Sequence, residues 1–398
     1  MKKKSSFLPV ILFISLYFLL HVYVLSGLQT YSSNPLLPLS FWLVISLVSL
    51  LLIYALKRIQ NHGMDYFFKF STHAFLLLLS TELIFFAILL PGDIYRIFSQ
   101  NPRNLYWIEF ASLVSMLTLL IFIYGMIHGK YAYRVIKHSL FFEDLPANFD
   151  GFTITQISDI HAGSFNNPKA IQKGIDLINK QSSDLFVFTG DLVNNKASEV
   201  LPWMSYFSQI KAPHGQFSIL GNHDYGDYVK WKNDANKRAN LQKLKNHHAT
   251  MGYRLLLDEH VIIYKNGEKI ILAGVENWGL GFGERGDLKK ALKSVNVNDF
   301  KVLLSHDPSH WEAQVKNYPV KIQLTLSGHT HGMQFGLEAF GIKWSPVKYR
   351  YAHWAGIKKE NNRYLNINRG FGFLGFSGRI GIWPEITVIT LRKLPPVS

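Results

Sequence analysis

Five short clusters of metal-type ligands recur along the chain: Asp159-Ile160-His161, Gly190-Asp191-Leu192-Val193-Asn194, Gly221-Asn222-His223-Asp224, Ser305-His306-Asp307 and Gly328-His329-Thr330-His331-Gly332. Carboxylate, imidazole and amide groups hold divalent cations, and one ionised carboxylate can bridge two of them. The chain contains no cysteine. That excludes a disulfide, a thiolate metal site and a Cys nucleophile, so any metal must be held by His, Asp, Asn or Glu. Taken singly, an Asp-x-His is usually a turn or capping pair, and a lone His at a strand end is usually satisfied by a backbone carbonyl. Five such clusters in series make coincidence a poor explanation.

Each cluster follows a short apolar, β-rich run, at 152–157, 185–189, 216–220, 302–304 and 322–326, with further strands expected at 270–273 and 386–391. Helical patterns are expected over 168–180 and 227–247. This alternation is that of an α/β protein. In an open α/β sheet the carboxyl ends of the strands converge on one crevice, so ligands spread from position 159 to position 331 can meet there. Glycines beside the ligands let the backbone turn sharply enough to bring them close.

The ordered series D-x-H, G-D-x-x-N, G-N-H-D, a lone H and G-H-x-H resembles the signature of the calcineurin-like metallophosphoesterase superfamily, over roughly residues 145 to 392. His306-Asp307-Pro308 and Pro384-Glu385-Ile386-Thr387 look like its bacterial membrane-associated branch. Asn194 stands where many relatives carry Asp, and Met333 where a second Gly is common; neither position is normally a ligand. The resemblance implies an α/β domain of two mixed β-sheets packed face to face and flanked by helices. It implies that Asp159, His161, Asp191 and His331 hold one divalent ion, and that Asn222, His306, His329 and the same Asp191 hold another, with Mn, Fe, Zn or Co as possible metals. The nucleophile would be a hydroxide activated by both ions. His223 would be a non-ligand that donates a proton to the leaving oxygen, with Asp224 as the carboxylate that favours and orients its protonated ring. The plainer reading of Asp224 is a turn cap. Arg369 and Arg379, in a Gly-rich terminal stretch, either meet substrate phosphate or form surface salt bridges.

The first third of the chain is different. Four apolar stretches, 7–28, 36–56, 70–90 and 105–127, each approach the ~20 residues that a helix needs to cross a bilayer. The Lys2-Lys3-Lys4 start followed by an apolar run also fits a cleaved signal peptide, but no small-x-small cleavage site follows and three more spans come after. Glu82 and His73 are read as interrupting only the third stretch, with Glu82 paired to a polar neighbour in the bundle rather than serving transport. Lys2, Lys3, Lys4, Lys57, Arg58, Lys69, Lys130, Arg134 and Lys137 fall on one side of the implied topology, against Arg96 and Arg103 on the other. Because positive residues are retained in the cytoplasm, both termini should be cytoplasmic and the protein multi-pass in the cell inner membrane. The expected organisation is a membrane anchor over 1–140 and a catalytic domain over 145–398.

A net charge of +15 calls for an anionic partner: a membrane surface, a phosphorylated small molecule or a nucleic acid. Charge alone does not choose. Anchoring favours hydrolysis of a phosphate ester or anhydride in a lipid or lipid-linked intermediate, and branch resemblance makes a nucleotide-sugar lipid pyrophosphatase the concrete version. A phosphodiesterase of soluble nucleotides or nucleic acid is the alternative, supported only by the charge, so nucleic acid is not the expected partner. No protein partner is implied. A catalytically dead receptor is disfavoured because every ligand position is filled. The basic run 230–245 reads as a solvated amphipathic helix in preference to a lipid-facing one.

Overall fold

A computed structural model describes residues 8–62, 65–339 and 341–394. The backbone divides into two compact units, Met1–Ile127 and His128–Ser398. Lys2, Lys3 and Lys4, which enter the topology argument, lie outside the described residues.

The first unit consists of α1 (Leu8–Tyr31), α2 (Leu36–His62), α3 (Tyr66–Ser99) and α4 (Leu105–Ile127). All four are long and apolar enough to cross a membrane. They are apolar on every face, as expected where the surroundings as well as the interior are apolar. Asp65 caps α3 by accepting the Phe68 N–H, and the helix continues through Pro91, well past the expected end at 90. Two polar clusters pin the bundle. Glu82 on α3 lies 2.5 Å from Nδ1 of His21 on α1, both buried, so the third stretch is not the only one carrying a polar interruption. Asp93 takes hydrogen bonds from Tyr23 (2.8 Å) and from two nitrogens of Arg103 (2.6 and 2.9 Å), joining α1, α3 and the segment before α4.

The second unit is built on two six-stranded sheets. Its strands in chain order are β1 (Arg134–Phe142), β2 (Thr153–Ile157), β3 (Leu185–Phe188), β4 (Gln216–Ser218), β5 (Arg254–Leu255), β6 (Glu259–Lys265), β7 (Glu268–Gly274), β8 (Trp278–Gly279), β9 (Gly283–Glu284), β10 (Lys301–Leu304), β11 (Leu324–Ser327), β12 (Leu337–Ala339), β13 (Ile342–Trp344), β14 (Gly356–Glu360), β15 (Arg363–Ile367) and β16 (Glu385–Lys393). Its helices are α5 (Pro168–Asn179), α6 (Met204–Phe207), α7 (Asp234–Thr250), α8 (Leu288–Ala291) and α9 (Ser309–Ala313). The first sheet has the order β1-β16-β2-β3-β4-β5, and the second β14-β15-β11-β10-β7-β6. Both mix parallel and antiparallel pairs.

Strand periodicity explains the layering. In β3, Leu185 and Val187 face a core shared with Leu272 of β7, Val302 and Leu304 of β10, and Leu324 and Leu326 of β11. The intervening Phe186 and Phe188 face the opposite way, onto Ile171, Ile175 and Ile178 of α5. Successive side chains alternate between the two faces of a strand, so one apolar tetrad serves two cores. The second sheet does the same, with Ala273, Leu303 and Leu365 meeting α8 and Trp311 of α9. The architecture is therefore two mixed sheets face to face with helices outside, as the resemblance implied.

The sheet begins earlier than the expected domain start at 145. β1 pairs in parallel with β16 along its whole length, from Arg134↔Glu385 to Phe142↔Lys393, which assigns residues 128–144 to this unit. As an edge strand it carries polar residues at Arg134, Lys137, His138 and Ser139, which break the period of two and hid it in the sequence. α7 begins at 234, capped by Asn233, rather than at 227.

Candidate metal centre

The five ligand clusters sit immediately beyond the carboxyl ends of β2, β3 and β4 in one sheet and β10 and β11 in the other. The chain must then bend each ligand inward. Asp159, His161, Asp191, His329 and His331 all have positive φ, between 47° and 71°. That left-handed backbone costs L-residues of order 1–2 kcal/mol each and persists only where surrounding contacts determine it. Two glycines permit the close approach: a Cβ on Gly221 would collide with Oδ1 of Asp191, and one on Gly328 with Oγ of Ser158.

Two groups of side chains that could hold a metal ion result, Asp159–His161–His331 and Asp191–His306–His329. In the first, Nε2 of His161 lies 3.0 Å from Nε2 of His331, which lies 3.2 Å from Oδ1 of Asp159. In the second, Oδ2 of Asp191 is 3.3 Å from Nε2 of His306, and Nδ1 of His329 is 3.3 Å from the same nitrogen. Asn222 joins this group, its Oδ1 being 3.0 Å from Nδ1 of His329. Oδ2 of Asp191, in the second group, is also 3.5 Å from Nε2 of His161 in the first.

The outward nitrogens fix which atoms face inward. Nδ1 of His306 is 2.7 Å from the Thr189 carbonyl, which can only accept, so Nδ1 carries a hydrogen and Nε2 is the nitrogen that faces the centre. His329 is reversed: Nε2 lies 3.3 Å from Oδ2 of Asp307, leaving Nδ1 toward the centre. The Asn222 amide donates to Tyr228 Oη at 2.8 Å, which turns its oxygen inward. Lone pairs that converge at about 3 Å repel unless a proton or a cation lies among them, so this donor set fits divalent metal ions.

Electrostatics point the same way. Burial pushes the Asp191 and Asp159 carboxyls up, but neighbouring imidazoles outweigh it and hold both below the usual range. Burial likewise opposes charge on His306, yet the Asp191 carboxylate beside it drives that imidazole up to about 10. His161 and His329 are held below their ordinary value, chiefly by burial. A field that retains a proton on a fully buried imidazole is one that stabilises positive charge, and metal binding displaces such protons.

The structure corrects the expected partner of His223. Asp224 does not orient that ring. Its oxygens accept backbone N–H groups from Asp191, Leu192, Val193 and Gly221 at 2.8–3.2 Å, which ties the β3 and β4 loops together. Burial and the charge of Asp191 push Asp224 up to about 7, against those donors, which favour the carboxylate. His223 instead places Nδ1 2.8 Å from the Asn194 carbonyl, and its ring lies against those of His161 and Tyr228. The arginines also resolve. Arg369 is a buried partner of Glu385 (2.5 Å) and Glu338 (2.7 Å). Arg379 is fully buried, donates to the carbonyls of Gly372 (2.6 Å) and Arg369 (2.8 Å), and lies 3.3 Å from Nδ1 of His331.

Two contributors went unassigned in the sequence. Asp307 was visible as the neighbour of His306, but its role with His329 depends on strand-end geometry. Tyr228 carried no signal beyond lying six residues after Asn222.

Residues 152–333 match the family described as calcineurin-like phosphoesterase, and residues 5–130 match the one described as "Probable Calcineurin-like phosphoesterase, transmembrane domain". The chain is 30% identical over 275 residues to the uncharacterized metallophosphoesterase YkuE of Bacillus subtilis, covering 65% of this chain and 84% of that protein. It is 26% identical to an uncharacterized metallophosphoesterase of Aquifex aeolicus, covering 66% and 93%. It is 28% identical to the UDP-2,3-diacylglucosamine pyrophosphatase LpxG of Chlamydia trachomatis, covering 57% and 79%. With its two sheets, two metal-type clusters and these matches, the chain belongs to the calcineurin-like metallophosphoesterases, metal-dependent hydrolases of phosphoester bonds. It is a membrane-anchored member, with a four-helix transmembrane domain ahead of the phosphoesterase domain.

Proposed function

We propose that this protein hydrolyses an ester or anhydride bond of a phosphate-containing membrane lipid or lipid-linked intermediate, at two divalent ions. The observation that carries the two-ion reading is the single oxygen of Asp191 that faces His161 at 3.5 Å and His306 at 3.3 Å. Asp159, His161 and His331 would complete one site with Asp191, and Asn222, His306 and His329 the other. Bound there, such ions polarise phosphoryl oxygens and lower the pKa of a water.

The chain's own groups do the rest. Asp307, Thr189 and Tyr228 hold His329, His306 and Asn222 in the orientation that turns their donor atoms inward. Because the Asn194 carbonyl holds the Nδ1 hydrogen of His223, Nε2 is the nitrogen left to pass a proton to the leaving oxygen. Asp224 acts as a positioning residue for the loops on which Asp191 and His223 stand.

The lipid substrate is supported by the spanning helices and by LpxG, a relative whose name states a pyrophosphatase of a diacylated nucleotide sugar. The Lys and Arg distribution supports an inner-membrane location with the catalytic unit in the cytoplasm. The test is hydrolysis by the purified full chain with Mn²⁺ added, comparing phosphate-bearing lipids in vesicles with free nucleotides and single-stranded DNA. Preference for the vesicle lipid is expected. Turnover of nucleotides or DNA alone would replace the lipid reading with that of a soluble phosphodiesterase.

A further inference from the structure

The hairpin that follows the last candidate ligand, His331, leaves large apolar side chains in the open. In β12 and β13, Glu338 pairs with Lys343 on one face, while Leu337 with Trp344 and Ala339 with Ile342 share the other. An ordinary surface hairpin buries its apolar face and solvates its charges. Here Glu338 accepts two hydrogen bonds from buried Arg369, and Lys343 donates to the Ala355 carbonyl. The charged face is therefore tethered to the domain, although Lys343 stays exposed, and the apolar face is partly open, with Leu337 43% and Ile342 53% exposed and Ala339 and Trp344 half-buried.

Neighbouring residues extend the patch. Met333 and Gln334 both have left-handed φ, 50° and 58°. The buried Gln334 amide is clamped, donating to the Phe376 carbonyl and accepting from the Leu374 N–H, while Met333 is left 57% exposed. Backbone strain is thus held in place while an apolar side chain points outward. Beyond the hairpin, exposed Tyr349 lies between Lys348 and Arg350, and Arg350 reaches the carbonyl of exposed Leu280. Apolar and aromatic side chains flanked by cations are what the headgroup layer of an anionic bilayer accepts. Four helices of the same chain are fit to cross such a bilayer.

We propose that Met333, the paired strands β12 and β13 and the 346–350 turn rest in the headgroup layer of an anionic membrane, so that phosphate-bearing lipid enters the metal centre along them. The delivery step rests on the proposed lipid substrate; the docking itself is read separately. The chain lacks cysteine, so Leu337→Cys and Ile342→Cys can each carry one fluorophore on the full chain in nanodiscs containing phosphatidylglycerol, with Tyr264→Cys on exposed β6 as control.

Nitroxide-bearing lipids should quench the label at 337 and 342, and aqueous iodide the label at 264. A Leu337→Asp/Ile342→Asp double variant should lose about tenfold or more on vesicle-embedded lipid, the worth of one or two buried apolar side chains, yet hydrolyse a soluble nitrophenyl phosphodiester at nearly the wild-type rate. Iodide quenching at 337 and 342 would overturn the docking. So would protection from both quenchers, which would assign the face to a protein or a second copy. Equal losses on both substrates would overturn delivery along the hairpin. Lipid quenching with no lipid turnover by the unaltered protein would leave the docking standing and sink the lipid-substrate reading alone.

Discussion

The Asp191 carboxylate divides its two oxygens: Oδ2 faces both histidine groups, and Oδ1 accepts the His223 N–H at 2.9 Å. Asp191→Ala should therefore strip both metals, whereas His161→Ala should disturb chiefly one; metal content by mass spectrometry of the purified variants checks this. Full metal content in Asp191→Ala would rule out a shared ligand. His223 has no such position. His223→Ala should keep both ions yet slow turnover by roughly 10²–10⁴, the usual worth of a positioned acid. The loss should be smaller for nitrophenyl esters, whose leaving oxygen needs little protonation, than for alkyl esters. If both substrate types lose equally, His223 is holding phosphoryl oxygens instead. Asp307 reaches the centre only through His329, so Asp307→Asn should weaken metal binding at that group by roughly 10–100-fold, as outer-shell carboxylates generally do. Unchanged affinity in a metal titration would make Asp307 a partner of Tyr351 and Ser309 alone.

Among the elements, α7 shows how little apolar surface a helix needs when polar contacts supplement it. Only Asn240, Leu244 and His248 of its 17 residues are buried, one turn apart. Asn240 accepts the Ala197 N–H and donates to the Asn195 carbonyl, securing the loop beyond Asp191. His248 lies against Phe188 and bonds to the Ser218 hydroxyl. Burial lowers this imidazole to about 3. Between that value and the ordinary ~6.5, the unfolded chain binds a proton that the folded domain refuses, so stability should fall as pH drops through this window, by up to roughly 1.4 kcal/mol per unit, and stay level above it. His248→Phe should flatten that part of the acid limb when thermal midpoints are compared between pH 4 and 7. An unchanged acid slope would show that other groups control it. Of the lysines on α7, Lys243 is exposed while Lys237 and Lys245 are half-buried, and Trp231 before the helix donates to the Gly226 carbonyl.

At the scale of the whole molecule, the proposed orientation in the membrane is argued from charge. Arg103 is engaged by Asp93 and by the Ser26 carbonyl, which leaves even less free positive charge on the side opposite Lys57, Arg58 and Lys69. Reporters placed after Ser33 and after Asn101 should behave as extracytoplasmic and one at the C-terminus as cytoplasmic. A C-terminal reporter active outside the cytoplasm would invert the proposed location. Polar contacts within the bundle, His21 with Glu82, Tyr17 with Ser49, Tyr23 with Asp93 and Arg103, and Trp107 with the Ile88 carbonyl, cross between helices that are otherwise largely apolar. Such pairs are costly to expose to lipid and so specify which helices adjoin.

Candidate ligands, strand ends and apolar spans were legible in the sequence because each is written locally: a residue type, a period of two, or some twenty apolar residues in a row. The order of the clusters carried the family, and the ligands meet beyond the strand ends as the α/β reading required. What the tertiary structure decided depends on which distant atoms come to face each other. The backbone acceptor of His223, the cap that Asp224 provides across two loops, the Asp307 support of His329 and the inward burial of Arg369 and Arg379 all join segments between three and 48 positions apart whose facing is set by backbone dihedrals no residue type specifies. β1 went unseen for the same reason. An edge strand needs only half an apolar pattern, and the parallel partner that makes it part of the sheet lies some 250 residues downstream.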